Sequence, residues 1–481
     1  MLKSFQHVTR SATSFCKTLN KFRVTRHFSD GICLTMPDHA TSTHPAVQAQ
    51  LDRLTMLSPG KDVLGLERIA TLLDRLGNPH QHLPPVFHVS GTNGKGSTCA
   101  FLRGAIEAAG LTTHVYSSPH LVRFNERIRV AGRLIDDDAL SALLSEVLDH
   151  AEGLEASFFE VTTAVAFCAF ARSPADACII EVGLGGRLDA TNVLAHPVAC
   201  GIASLGLDHE AFLLADEEGV PDMPPLDRIA FEKAGIAKSG APLVTQKYPA
   251  SMANTVAAQA TLHNAILYAR GESWDAAVYD NRLHYRDTTG KLTLPLPRMT
   301  GVHQADNAAL AVAMLRHQSA IHIPEAAMSA AMEWTRWPAR MQLLAAGPLT
   351  DLLPDGSNIW LDGGHNPDAG AAIAKTLEDG PPVHVIVGML KNKDAFGLLK
   401  PFANKIESLS AVPIPGHEHH EPDDLCHVAR SKLQITDAQT AGNSTEALKQ
   451  LATQQAPTNV LICGSLYLAG EVLRLNDQVP D

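Results

Sequence analysis

No two of the eight cysteines (Cys16, Cys33, Cys99, Cys168, Cys178, Cys200, Cys426 and Cys463) form a C-x-x-C pair. The chain therefore lacks the grouping that zinc sites and disulfide frameworks need, and reduced, mostly buried thiols are expected. It has no run of about 18 uninterrupted apolar residues, which excludes a helix that spans a bilayer. A basic excess is missing too. The formal net charge of −12 argues against a nucleic-acid or anionic-membrane surface, while leaving room for a local basic pocket. Otherwise the composition is that of a soluble globular protein, 45% hydrophobic and 19% charged. At roughly 100–200 residues per domain, 481 residues make two or three domains.

The first 35 residues stand apart. They carry Lys3, Arg10, Lys17, Lys21, Arg23 and Arg26, and no acid before Asp30. Two readings stay open: an organellar transit segment, or translation from an upstream start with Met36 as the true first residue. In both, residues 1–45 are an extension outside the fold, expected to be disordered.

Beyond it, short apolar runs alternate with helical stretches. Strands are expected at 86–89, 114–117, 177–182, 198–204 and 242–245, with helices at 97–109 and 159–171. That alternation predicts an α/β fold: a phosphate-loop domain (46–333) on a doubly wound, mostly parallel sheet. A Pro-punctuated segment at 294–298 and a helix at 304–316 lead to a second unit from 334. Strands at 359–361, 383–387 and 460–462 and helices at 367–378 and 466–475 make it a smaller, Rossmann-like α/β domain (334–481). The acidic, Pro-rich stretch 211–225 reads as a surface insertion.

The chemistry gathers at strand ends, where such sheets bind ligands. Residues 90–98 read Ser-Gly-Thr-Asn-Gly-Lys-Gly-Ser-Thr between a strand and a helix. Glycines let backbone N–H groups wrap a phosphate, Lys95 adds a point charge, and Ser97 offers a hydroxyl toward Mg²⁺. The strict G-x-x-x-x-G-K-S/T pattern is not met: Val89 takes the first glycine position and Gly96 follows the lysine. Glu181 ends a buried strand beside this loop, a place suited to a hard cation, although a polar strand terminus reads the same way. Asp208-His209 follows another strand end. Lys233, judged on spacing alone, is a solvated helix lysine. Asp362-Gly363-Gly364-His365-Asn366-Pro367 is a polar strand-end loop in the second unit, and two such loops imply a cleft between units.

Taken together, the residues resemble the dihydrofolate synthase/folylpolyglutamate synthase family, a branch of the Mur-ligase-like enzymes. The resemblance spans about residues 50–478 and rests on motifs in the family's order: GTNGKGST (91–98), SSPHLVRFNERIRV (117–130), FEVTTA (159–164), EVGLGGRLDATN (181–192), LGLDH (205–209), FEKAGI (231–236), HQADNAA (303–309), WPAR (337–340), DGGHNP (362–367) and GSLYLAGEV (464–472).

The resemblance implies an ATP- and Mg²⁺-dependent ligase that adds L-glutamate to dihydropteroate and to the tail of reduced folates through an acyl phosphate. It assigns Thr92, Asn93, Gly94, Lys95, Gly96, Ser97, Asn307, Arg340 and Asp362 to ATP. It gives Ser118, Glu181 and His209 to Mg²⁺, in two sites. Lys95, Lys233 and His365 take catalytic roles, with Lys233 carbamylated by CO₂, which overturns the solvated-lysine reading. Arg127, His365 and Ser465 match positions associated with the incoming glutamate. Phe159, Glu160, Val161 and Thr162, with Leu188, Asp189 and Ala190, match segments near the pterin. A cytoplasmic monomer acting on small molecules is implied, mitochondrial if the leader is a transit segment.

The chain departs from the family at Gly364, usually alanine, and by insertions near 211–225 and 349–357. A cell-wall precursor ligase is the competitor within ligases, but that branch usually has a hydroxyl residue directly after the loop lysine. A nucleotide-regulated binding protein is the competitor outside them, and would not need the 362–367 loop.

Overall fold

The computed structural model describes residues 40–57, 64–453 and 456–481. The leader, with Cys16 and Cys33, lies outside them. The first described helix, Pro45–Leu57, already begins inside the expected extension.

Eight strands form the first sheet: β1 (Val86–Ser90), β2 (Thr113–Tyr116), β3 (Ile128–Val130), β4 (Arg133–Leu134), β5 (Ala177–Glu181), β6 (Ala199–Ile202), β7 (Pro242–Thr245) and β8 (Ile266–Ala269). Their order is β4-β3-β2-β5-β1-β6-β7-β8. Only the β2–β3 and β3–β4 pairs are antiparallel. The central strands are continuous apolar runs because both faces are covered. In β5, Ala177 and Ile179 join one core while Cys178 and Ile180 join the other. The helix Phe158–Ala171 closes over the second face. Ser157 and Glu160 start it with a reciprocal capping box, Ser157 N–H donating to Glu160 at 2.7 Å and Glu160 N–H to Ser157 Oγ at 3.2 Å.

A three-stranded antiparallel meander, β9 (Trp274–Tyr279), β10 (Arg282–Asp287) and β11 (Gly290–Pro295), packs into the other core through Trp274, Leu283, Tyr285 and Leu294. The second sheet holds β12 (Gln342–Leu343), β13 (Asn358–Leu361), β14 (Val383–Val387), β15 (Ile406–Ala411), β16 (Ala438–Thr440) and β17 (Asn459–Cys463), in the order β12-β13-β17-β14-β15-β16. All its pairs except β12–β13 are parallel. Both faces are again apolar, Val385 and Val387 on one and Ile386 on the other.

The six cysteines among the described residues are free and buried. No helix there is long and apolar enough to cross a membrane.

Candidate functional site

The phosphate loop leaves β1 and enters the helix Lys95–Ala108, which starts two residues earlier than its composition predicts. Gly94 makes this possible. It is the helix N-cap at φ 86°, and a Cβ there would lie 2.3 Å from Asn307 Oδ1. Gly96 is a close-approach position of another kind, since a Cβ would press 2.7 Å from the Trp337 indole nitrogen. Thr92 fastens the loop to the segment after β6: its N–H donates to Ser204 O at 2.7 Å and its hydroxyl to Gly206 O at 2.8 Å. Ser97 is buried.

Two lysines converge on one carbonyl. Lys95 Nζ donates to Gly91 O at 3.0 Å, and Lys233 Nζ donates to the same oxygen at 3.1 Å. Lys233 is 5% exposed, so the solvated position expected from spacing is corrected. The helix Pro225–Ala234 is buried around most of its circumference, with Arg228, Glu232 and Lys233 among its buried residues. Burial, then the charge of Lys95, pushes the Lys233 amine down to about 7.

Glu181 closes β5 beside them. Burial raises its carboxyl to about 7, against the pull of Lys95, Arg340 and the Ser118 N–H. Its Oε2 is buried with no hydrogen-bond partner. An orphaned, desolvated carboxylate oxygen fits a cation. His209, at φ 53° and with its side chain 41% exposed, has Nε2 4.0 Å from Asp208 Oδ2. Desolvation lowers its ring pKa against the pull of Asp208. Among the described residues no three His, Cys, Asp or Glu side chains cluster as a complete metal cage. Mg²⁺ does not require one, since it keeps waters and phosphate oxygens as ligands.

Asp208 is where the two sheets' loops meet. Lys393 Nζ lies 2.5 Å away, Asn366 Nδ2 3.1 Å and His365 Nε2 3.4 Å, all from loops of the second sheet. Burial works against its charge, but the His365 hydrogen bond and the nearby cations outweigh it and hold the carboxyl well below the usual range. Asn366 also exchanges side-chain hydrogen bonds with Asn93 of the phosphate loop at 3.2 Å and caps the helix Pro367–Leu377 through Ala369 N–H. Sequence reasoning missed Lys393 and Asn366. Asn366 stands inside the DGGHNP motif, whereas nothing local marks Lys393.

The remaining expected residues divide by what their side chains touch. Asp362 accepts from Met341 N–H and Gly364 N–H, both at 2.7 Å. Arg340 donates to Ala339 O at 2.8 Å, between two residues in the left-handed region, Ala339 and Met341. Asn307 Nδ2 donates to Gln304. An alanine at Gly364, the family's usual residue, would bring Cβ to 2.8 Å from Asp362 Oδ1.

Arg127 is fully buried, donating to His120 Nδ1 at 2.9 Å and lying over the Phe124 and Phe158 rings. Ser465 Oγ caps the helix Leu466–Leu475. Phe159 lies against Gly183, where a Cβ would meet its ring at 2.3 Å. Its neighbours serve the fold: Glu160 is the capping-box acid and pairs with Arg68 at 3.0 Å, Val161 is core, and the Thr162 hydroxyl donates to Phe158 O. Asp189 is likewise spent inside its loop, accepting from Leu184 N–H and Thr191 N–H, with Ala190 in the core and Leu188 half-buried.

A phosphate loop, a buried acid and two lysines, with loops of the second sheet in contact with the segment after β6, fit an ATP-dependent ligase. The family of the dihydrofolate synthetase C-terminal domain matches residues 349–475. The dihydrofolate synthase/folylpolyglutamate synthase of Escherichia coli is 33% identical over 419 residues, 86% of this chain and 92% of that protein. The probable dihydrofolate synthetase of Schizosaccharomyces pombe is 30% identical, over 85% of this chain and 98% of its own. The structure of E. coli FolC in complex with DHPP and ADP matches with a TM-score of 0.78 at 31% identity, covering 91% of this chain and 99% of that one. A bifunctional folylpolyglutamate synthase/dihydrofolate synthase with Mn, AMPPNP and L-glutamate bound matches with a TM-score of 0.75 at 30% identity, over 90% and 98% of the two chains. The chain belongs to the dihydrofolate synthase/folylpolyglutamate synthase family.

Proposed function

We propose that this ligase joins L-glutamate both to dihydropteroate, forming dihydrofolate, and to the glutamate tail of reduced folates. The observation that carries the reading is the pair of lysines on Gly91 O beside the unpartnered Glu181 oxygen. Two amines, one of them held near 7, and a carboxyl oxygen open to a cation thereby gather beside the phosphate loop.

The acceptor carboxylate attacks the γ-phosphorus of ATP, the bridging P–O bond breaks, and ADP leaves with its electron pair. The glutamate α-amine then attacks the acyl carbon. The tetrahedral adduct expels phosphate, and the amine loses its proton. Lys95 and the loop N–H groups follow the charge on the transferring phosphoryl group. Asn307, Arg340 and Asp362 hold the nucleotide. His365, Arg127 and Ser465 orient glutamate, and Phe159 with the 183–192 loop faces the pterin. Positioning carries most of the rate gain, so no protein nucleophile is needed.

Ser118, Glu181 and His209 would hold divalent cations in two sites, which when bound neutralise the phosphate charge. An amine held near 7 presents free base to CO₂, and its attack with loss of a proton would make Lys233 a carbamate, an anion with oxygen donors. Lys233→Ala rescued by added short carboxylates would support this, and a wild-type-like Lys233→Ala enzyme would end it. The domain division at 334, a monomeric state and a cytoplasmic or, with a transit leader, mitochondrial location belong to the same reading.

The test is ADP formation with MgATP and L-glutamate, comparing 7,8-dihydropteroate, tetrahydrofolate and a UDP-muramyl peptide. Turnover with both pterins is expected. Tetrahydrofolate alone would narrow the assignment to tail extension, and turnover only with the muramyl peptide would overturn it.

A further inference from the structure

The insertion at 211–225 is held into the fold. Leu213 is buried, and its methyl group stands where a Cβ on Gly185 would approach to 2.9 Å. Its carbonyl accepts from Arg228 Nε at 3.1 Å. Four residues further on, Glu217 meets Arg187, Nη1 lying 3.2 Å from Oε1 and Nη2 bonding Oε2. The other edge of the same guanidinium grips Glu232, at 3.1 Å from Nε and 2.9 Å from Nη2. Arg228 completes the square at 2.9 Å from Glu232 and 3.4 Å from Glu217, and both arginines lie over the Phe231 ring. A planar fork between two carboxylates is fixed in orientation as well as in place.

What this square holds is the acceptor side of the site. Arg187 N–H donates to Glu232 O at 2.7 Å, and Arg187 O accepts from Asn192 at 2.9 Å. Gly186 lies so close to the Glu232 and Lys233 carbonyls that a Cβ would meet them at 2.7 and 2.9 Å. The 183–192 loop is therefore tied, through Gly186 and Arg187, to the backbone that carries Lys233. Glu217, half-buried, is the part of the square supplied by the insertion.

We propose that the insertion is a working part of the acceptor site, and that Glu217 is a positioning residue that sets, through Arg187, the loop facing the pterin. This rests on the assignment of a pterin acceptor to the 183–192 loop.

Glu217→Gln keeps the side chain's shape and removes the charge that the arginines share. Two measurements on the full chain test it. Backbone amide exchange of residues 184–192, needing no substrate, speeds up in the variant. The KM for 7,8-dihydropteroate rises about tenfold, as expected for losing a charged hydrogen-bond pair, while the KM for ATP stays within about twofold. Unchanged amide exchange overturns the proposal. So does an equal rise in all three substrate KM values with a lowered Tm, which marks a purely structural loss. A wild-type enzyme that never turns over a pterin would defeat the functional reading instead, and the exchange experiment would still decide the linkage.

Discussion

Lys393→Met is the most informative single change outside the phosphate loop. It keeps the aliphatic stem and removes an ammonium that lies 2.5 Å from Asp208, with side chains 11% and 8% exposed. Removing one partner of a buried pair costs about 3–5 kcal/mol when the survivor is left bare. Asp208 is not left bare, because Asn366 at 3.1 Å and His365 at 3.4 Å remain. A loss of about 2–3 kcal/mol is therefore expected. The pair joins loops of the two sheets, so the loss falls on the contact between them, and kcat/KM for ATP drops by up to about 100-fold. Urea unfolding followed by tryptophan fluorescence, on Lys393→Met, Asp208→Asn and the double variant, measures the coupling. The double variant should cost at least about 1 kcal/mol less than the sum of the singles. Additivity within about 0.5 kcal/mol would mean that Lys393 and Asp208 are not coupled.

Gly94→Ala forces a left-handed backbone on alanine, about 1–2 kcal/mol, and drives Cβ toward Asn307 Oδ1; nucleotide binding by calorimetry should be lost while the far-UV spectrum is kept. Lys95→Ala gives up only hydrogen bonds to the Gly91 and Thr92 carbonyls, so it should fold normally and fail in single-turnover ADP formation; wild-type turnover would count against the phosphate-loop assignment. Burial holds the Glu181 carboxyl near 7, above its ordinary 4.5. The folded, ligand-free chain then keeps a proton that the unfolded chain releases, and this group's contribution to stability falls as pH rises from 4.5 to about 7. A cation competes with that proton, so Mg²⁺ affinity should climb with pH to about 7 and then level. Glu181→Gln should flatten the titration, and a flat wild-type curve would remove Glu181 as a ligand.

The strands Pro242–Thr245 and Val383–Val387 and the helix Leu466–Leu475 were legible to the residue, because turn or capping residues bound an apolar run at both ends. The Trp274–Pro295 meander was not foreseen, since its strands are only half-buried and their alternation is diluted by polar residues. A signal was there: Asp280 and Asn281, both left-handed, form the tight turn between its first two strands. The buried state of Lys233 could not be read from spacing, because its helix also buries Arg228 and Glu232, charged residues that make it imitate a solvated one. Lys393 was invisible for a different reason: its partner lies 185 positions away, and only the approach of the two sheets makes the pair. The Glu217 square escaped in the same manner, since an acidic, Pro-rich stretch gives no sign that one of its carboxylates is committed.

In the proposed reaction the acceptor carboxylate is phosphorylated before glutamate attacks. Heavy-oxygen label placed in the carboxylate of 7,8-dihydropteroate tests it directly, with the released inorganic phosphate analysed by mass spectrometry after turnover with MgATP and L-glutamate. One labelled oxygen is expected in each phosphate released. Phosphate free of label, or phosphate released at the same rate without the pterin, would contradict it.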